Sequence, residues 1–478
     1  MANSLIKSAK DILALAAHIS VFNLTTVFIT LANGLMLAKL GTNSLAAGAI
    51  IGITQLSLMM IFTSPLFAIS SIISRLSGEG KNFQIGGVIQ HGLLLSLLLS
   101  IPAITGMIFI KPILNAFGQP LNLIELVKLY FDAYVWGTPA AMLLTCSQQF
   151  MLGLKKTRLI TIIGVISLII SVFLSYILTF GKLGLTPLGV SGLGYAQAAR
   201  TILMLIILFG FIFLNNDFEN FRLLSKRPLN KFSELRQLIK LGWPISVHAA
   251  SEYLVMFSIT LIAGSIGQTA LVAQQISTQY IQALSIFYLA FSQASNLLVS
   301  TSIGKQDWKS MSSYGLIAVM LGFGIGLLAT LGFALFSNFL ISPYINVHKN
   351  FEFAQILRQF LMITMIGQLL GAGKAISIGL LRALYDTKLP MIIGAICGWG
   401  ITIPFALIAT NIWDWGVNGL AVAQIIGVGS CMLLLLDRWR VLSFNIGSPN
   451  KQINTISYRL WKHSTFKFIN AYLKVRNV

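Results

Sequence analysis

The chain has 478 residues, of which 56% are hydrophobic and only 10% charged, and its mean hydropathy is +0.82. Soluble domains carry about 25% charged residues, so a soluble globular fold is excluded. The net charge of +20 would suit nucleic acid, but the basic residues cluster in loops between apolar runs, which excludes that reading and points to membrane topology.

Apolar runs long enough to cross a bilayer as helices recur from end to end. Nothing resembles the alternating strands of a membrane barrel. Twelve spans are predicted, near residues 12–38, 45–73, 86–110, 124–152, 158–181, 188–214, 238–265, 270–302, 312–342, 353–383, 389–410 and 416–436. The first is preceded by Lys7 and Lys10 but is too long for a cleaved signal, so it reads as a retained span. His18 within it is expected to hydrogen-bond between helices. Asn33 is polar within the apolar run, beside Gly34.

Span 4 carries Asp132 near its outer end, either solvated at the interface or lining the mouth of a cavity. Span 6 carries Arg200, which either snorkels to the outer interface or meets an anionic group inside. Residues 215–237 form a polar linker with Arg222, Lys226, Arg227 and Lys231, read as partly an amphipathic interfacial helix. Span 7 holds the only carboxylate within its apolar run, Glu252. An ionisable group there costs about 2.5–3.5 kcal/mol on insertion scales and so faces a cavity or a partner. His248 lies one turn earlier, on the same helix face. Span 10 holds Lys374, either a partner for Glu252, a contact for an anionic substrate, or a snorkelling or structural cation. A basic tail, 437–478, suits an anionic leaflet.

About 25 of the 33 Lys and Arg lie in the termini and the even-numbered loops, against about 6 in the odd-numbered ones, among them Lys349. Both termini are therefore expected to be cytoplasmic. Cys146, Cys397 and Cys431 all sit in apolar spans and read as packing residues. No metal-ligand spacing appears, and no cofactor is expected.

The sequence repeats. Leu40-Gly41-Thr42-Asn43-Ser44-Leu45-Ala46-Ala47 matches Ile266-Gly267-Gln268-Thr269-Ala270-Leu271-Val272-Ala273 at an offset of 226. Gly189 to Gln197 matches Gly416 to Gln424 at 227, Gly80-Lys81 matches Gly304-Lys305 at 224, and Thr157-Arg158 matches Thr387-Lys388 at 230. Each offset spans six helices, so the copies share one orientation, related by an axis along the membrane normal. The expected fold is all-α and polytopic: twelve transmembrane helices in two pseudo-symmetric six-helix lobes around a central cavity. The lobes are 1–214 and 238–436, joined by the linker and followed by the tail.

At these positions the chain resembles the multidrug and toxic compound extrusion (MATE) transporters, NorM-like branch, of the multidrug/oligosaccharidyl-lipid/polysaccharide exporter superfamily. The anchors are LGTNSLAA after span 1, LGWP opening span 7, IGQTALVAQQ after it, LRALYDTKLP after span 10 and GVNGLAVAQ opening span 12. The resemblance implies a bacterial inner-membrane antiporter that exports organic compounds against an inward H+ or Na+ gradient by alternating access. It also implies a glutamate eight residues after the proline of span 7, which Pro244 and Glu252 match. Two other acids of the family are missing: one falls at Asn33 and one at Gly371, with Lys374 nearby.

Ion coupling is therefore assigned to Glu252, tuned by His248, and the substrate cavity to Asn33, Lys374, Gln275 and Arg200. A carboxylate in a low-dielectric cavity favours its protonated form, so it can load and unload a proton. With one carboxylate, H+ is expected over Na+, which prefers several oxygen ligands. The bland alternative is that Glu252 only pairs with Lys374 or Arg200 to hold the lobes together. A second function keeps the fold and carries a lipid-linked or anionic cargo, which basic residues in the cavity would suit. A membrane-embedded lipid enzyme would need clustered Asp or His, and none is present. The expected partners are a small organic substrate and membrane lipid, with the protein acting as a monomer.

Overall fold

A computed structural model describes residues 2–116, 118–221, 232–342 and 351–447. Those residues form helices and turns only: α1 Ala2–Leu40, α2 Thr42–Thr63, α3 Phe67–Gly78, α4 Asn82–Ile108, α5 Ile110–Ala116, α6 Leu121–Tyr134, α7 Thr138–Gly153, α8 Thr157–Phe180, α9 Val190–Leu214, α10 Phe232–Ile266, α11 Gln268–Gly304, α12 Trp308–Ile341, α13 Phe351–Ala383, α14 Lys388–Ala395, α15 Ile403–Asn411 and α16 Gly416–Gly447.

Twelve crossings result, and three of them are composite. α2 runs into α3 through a 3-10 turn at Ser64–Leu66, where Pro65 removes a backbone donor. α14 runs into α15 through a π-turn at Ile396–Thr402. Eleven spans are each long and apolar enough to cross as one piece. The remaining crossing, predicted as span 4, is α6 plus α7. A 3-10 turn at Val135–Gly137 breaks it just before Pro139, leaving halves of 14 and 16 residues.

The repeat is written into the backbone as well as the sequence. Gly41 and Gly267 open α2 and α11 with φ of 113° and 144°, and Gly189 and Gly416 stand at the start of the last helix of each lobe with φ of 60° and 53°. α3, α7, α11 and α13 all end in the same cap. A left-handed residue donates to the carbonyl three residues back, and the next residue donates to the carbonyl five back. The left-handed residues are Gly80, Lys155, Gln306 and Tyr385, with φ of 71°, 59°, 58° and 63°. Their five-back bonds are Lys81 to Leu76, Lys156 to Met151, Asp307 to Ser302 and Asp386 to Leu381, all 2.9–3.0 Å. The caps correct one alignment: Gly80 corresponds to Gln306, at an offset of 226, and not to Gly304 at 224.

Gly304 corresponds instead to Gly78, and these two glycines touch. A Cβ on Gly78 would lie 2.3 Å from the Thr301 carbonyl oxygen, and one on Gly304 would lie 2.2 Å from that of Arg75. α3 and α11 therefore cross on the pseudo-two-fold axis, backbone to backbone.

The hydrophobic core forks. Near the basic loops one cluster joins both lobes, from Ile12, Ile69 and Ile73 to Leu297, Ile376 and Leu380. Towards the opposite face it splits into separate clusters, Met36, Ile51 and Phe131 in the first lobe and Ile259, Phe333 and Phe360 in the second. The polar links between lobes follow the same division. Ser71 and Asn296 exchange hydrogen bonds at 2.9–3.0 Å, and Ser246 Oγ donates to the Ile61 carbonyl at 2.7 Å. Tyr314 donates to Asp11 at 2.7 Å, and His91 Nδ1 lies 3.2 Å from Glu234 Oε2. The Arg75 guanidinium stacks 4.7 Å from the Tyr385 ring centroid. All of these lie in the half nearer the basic loops, so the lobes form a V closed on that face.

Several sequence expectations shift. α16 continues past residue 436, so Arg438 is no tail residue; it pairs with Asp386 at 2.8 Å, the two side chains only 6% and 15% exposed. The His18 ring bonds within its own helix, to the Ala14 carbonyl at 2.6 Å, and it is the His18 backbone carbonyl that links helices, accepting from Thr161 Oγ1 at 2.9 Å. Asp132 pairs with Lys128 one turn away and is half exposed, as an interfacial group would be. Cys146, Cys397 and Cys431 are buried free thiols. Arg222, Lys226, Arg227, Lys231, Lys349 and the tail from 448 onward lie outside the described residues.

Candidate functional site

Glu252 stands in the middle of α10, one turn above His248 and two turns above Pro244. α13 faces it with Lys374, whose ammonium donates to Glu252 Oε1 and forms an ion pair with it. The same carboxylate oxygen lies 3.6 Å from His248 Nε2. The Glu252 side chain keeps 47% of its surface accessible, whereas Lys374 keeps 19% and His248 10%. The base is thus held in the lobe wall while the acid opens towards accessible space.

The sequence places these groups by helix geometry. His248 and Glu252 are four apart and share one face. His248 fits because α14 presents Gly394 to it; a Cβ there would lie 2.4 Å from the imidazole. Beside Glu252, the Ser251 hydroxyl accepts a hydrogen bond from the Trp399 indole at 3.1 Å. Among the described residues, neither His248 ring nitrogen has a hydrogen-bond partner. No cluster of three or more potential metal ligands occurs among the described residues.

The other expected residues are not gathered here. Arg200 neither snorkels nor meets an acid. It donates to Gln197 Oε1 at 2.9 Å and to Ser167 Oγ at 2.7 Å, inside the first lobe. Asn33 is half-buried in the same lobe, and its Oδ1 is buried without a partner among the described residues. Gln275 is exposed; its neighbour Gln274 is the buried one and accepts from Gln424 at 3.2 Å. For Lys374, the sequence leaves three roles open, and pairing with Glu252 is the one found. Sequence reasoning misses Arg382, two turns beyond Lys374 towards the basic face. Its guanidinium lies 6.0 Å from the Phe67 ring of the other lobe, and its Nε is buried with no acceptor among the described residues. Position in a basic motif next to the loop disguises it as a topology signal.

A membrane V of two six-helix copies, with an ionisable group set inside one arm, is a transporter arrangement. The family model MatE matches residues 18–177 and 244–408, more than half of the chain. The chain belongs to the MatE family. The two matched segments begin at 18 and 244, the same spacing of 226 that the repeat shows. Among curated relatives, the MatE chain is 25% identical over 429 residues to the probable multidrug resistance protein NorM of Synechocystis, covering 87% of this chain and 93% of that one. It is 25% identical over 446 residues to the multidrug resistance protein NorM of Burkholderia vietnamiensis, covering 92% and 95%. Among solved structures, a transporter of the multidrug/oligosaccharidyl-lipid/polysaccharide exporter superfamily from Pyrococcus furiosus has a TM-score of 0.82 at 17% identity, covering 92% of this chain and 97% of that one. It is described as having a binding pocket of reversed polarity that suggests a different function. An outward-facing multidrug resistance MATE transporter has a TM-score of 0.81, also at 17% identity, covering 93% and 97%. At such identity these structures speak to the fold alone.

Proposed function

We propose that this MatE protein is a secondary active antiporter of the bacterial inner membrane, exporting amphipathic organic compounds in exchange for H+ by alternating access. The reading rests on one observation above all: the sole carboxylate in the apolar stretch of α10, Glu252, half accessible, contacts a base and an unbonded imidazole within one arm of a two-lobed membrane V. A proton arriving at Glu252 neutralises the acid and breaks its attraction to Lys374, which is the kind of discrete change that can bias two lobe arrangements. The excess of Lys and Arg in the termini and even loops supports cytoplasmic termini. On that orientation the closed face is cytoplasmic and the conformation is outward-open. Relatives named as multidrug resistance proteins support the cargo class. The protein acts as a monomer, without enzymatic activity or cofactor.

The test uses proteoliposomes with an imposed pH or Na+ gradient and a fluorescent amphipathic cargo. Uptake driven by the pH gradient and lost in Glu252→Gln is the expected result. Uptake that is unchanged in Glu252→Gln refutes the coupling role. A second reading, export of a lipid-linked or anionic cargo, is favoured by Lys374 and Arg382, two cations set against one carboxylate. No uptake of any cationic or neutral dye by wild type, together with uptake of an anionic one, would select it.

A further inference from the structure

We propose that Lys374 is a built-in cation for Glu252, and that by occupying this carboxylate it keeps Na+ and organic cations out of the second lobe. This rests on the transport reading for its biological meaning, though its test does not.

A carboxylate within a membrane lobe needs a cation, supplied either by the solution or by the protein. Here the protein supplies it. The ammonium of Lys374 reaches across from α13 to Glu252 Oε1, the same oxygen that His248 Nε2 approaches at 3.6 Å. No second acid lies within ion-pair distance of Lys374 among the described residues.

The surrounding charge acts in the same direction. Arg382 lies eight residues further along α13, about 12 Å by helical rise, and has no carboxylate partner among the described residues. Beside the balanced Arg438–Asp386 pair, this part of the lobe thus sets two cations, Lys374 and Arg382, against the one acid Glu252, and a further cation entering it meets net repulsion. Lys374 is therefore a specificity residue. It leaves Glu252 open to a proton, which adds to the carboxylate itself. It closes Glu252 to cations that must stand beside the carboxylate, where the ammonium already stands.

At Gly371 the wall of α13 beside the pair is not tightly packed. A Cβ at Gly371, one turn back on α13, would meet only Gln368 Oε1 at 3.6 Å, an ordinary contact. A methyl group would therefore fit there without displacing its neighbours.

The experiment compares wild type, Lys374→Met, Glu252→Gln and the double variant as purified full-length protein in detergent. The probes are NaCl against N-methylglucamine chloride at equal ionic strength, and tetraphenylphosphonium as an organic cation. The readouts are thermal unfolding and tryptophan fluorescence; Trp399 is bonded to the residue before Glu252 and lies close to the site. Lys374→Met is expected to bind at least one of these cations tenfold or more tightly than wild type does, and the gain should vanish in the double variant. Lys374→Gln serves if Lys374→Met does not fold. A wild-type Na+ response that Glu252→Gln abolishes would overturn the proposal. So would a folded Lys374 variant that gains no response to either cation. Neither outcome depends on gradient-driven uptake, so failure of the antiporter reading stays separate.

Discussion

Replacing Gly304 by alanine should wedge the two lobes apart at the basic face. The added Cβ would sit 2.2 Å from the Arg75 carbonyl oxygen and 3.0 Å from Gly78 Cα and the Glu79 nitrogen. Ordinary contact begins at 3.4 Å, so the 2.2 Å approach is short by 1.2 Å. The obstructing atoms are backbone, so no side chain can swing away. Overpacking on this scale costs about 1–3 kcal/mol when the surroundings are well packed. If the open-seam state escapes that cost, the closed-to-open ratio falls by about 5- to 150-fold. Spin labels at Lys81 and Lys309, one on each lobe beside the seam in a cysteine-free background, would report the change as a new population at longer distance. An unchanged distance distribution accompanied by a lower Tm would refute the reasoning, since it would place the strain inside a lobe. Gly78→Ala, its pseudo-symmetric partner, should behave alike, with a Cβ 2.3 Å from the Thr301 carbonyl.

Two further substitutions test the caps and the buried ion pair. Lys155 is left-handed at φ 59°, and burial, reinforced by the Lys305 charge, lowers its ammonium pKa to about 8 from 10.5. Between those two values the unfolded chain holds more protons than the folded one, so this residue makes stability rise with pH across that window. Lys155→Gly should raise Tm at pH 7, by relief of a left-handed strain of about 1 kcal/mol and of the buried charge, and flatten the profile between pH 8 and 10.5. Equal profiles in thermal melts would refute it. Asp386→Ala leaves Arg438 buried without its acid and should cost about 3–5 kcal/mol, read as a drop in Tm. A loss below about 1 kcal/mol would mean that Arg438 is satisfied elsewhere.

The fold is legible in the sequence because its signals are long and repeated. Twelve apolar runs, the asymmetry of Lys and Arg, and matched glycines at a constant offset all survive errors of a few residues. Boundaries are less so. Polar ends of helices project beyond the apolar core, so α16 carries Arg438 past the expected stop, where hydropathy has already fallen. The Gly80-Lys81 match slips by two residues because identity favours Gly304, whereas the backbone demands a left-handed residue and accepts Gln306. At the site, the four-residue spacing alone makes His248 and Glu252 neighbours on one helix face. Hydropathy does not reveal which helix face Lys374 and Arg200 present to their neighbours, because both spans are apolar all round and a single cation leaves the period undefined. The internal hydrogen bonds of Arg200 to Gln197 and Ser167 show one such group satisfied entirely by neutral partners.

The two lobes copy each other in backbone and differ in charge, and that difference bears on mechanism. In the first lobe the half-buried base Arg200 rests on an amide and a hydroxyl, and the residue at the expected acid position is Asn33. In the second, an acid and a base meet directly. Of these two sites, only the one in the second lobe offers a proton a carboxylate to act upon. If protonation drives the lobes, the switch lies in α10 and α13, and the first lobe follows through the shared core and the glycine crossing. The seam variants and the Lys374 variants therefore probe opposite ends of one linkage. Opening the seam by Gly304→Ala should alter the accessibility of Glu252, and breaking the Glu252–Lys374 pair should alter the seam distance, since coupling free energy between two sites is reciprocal.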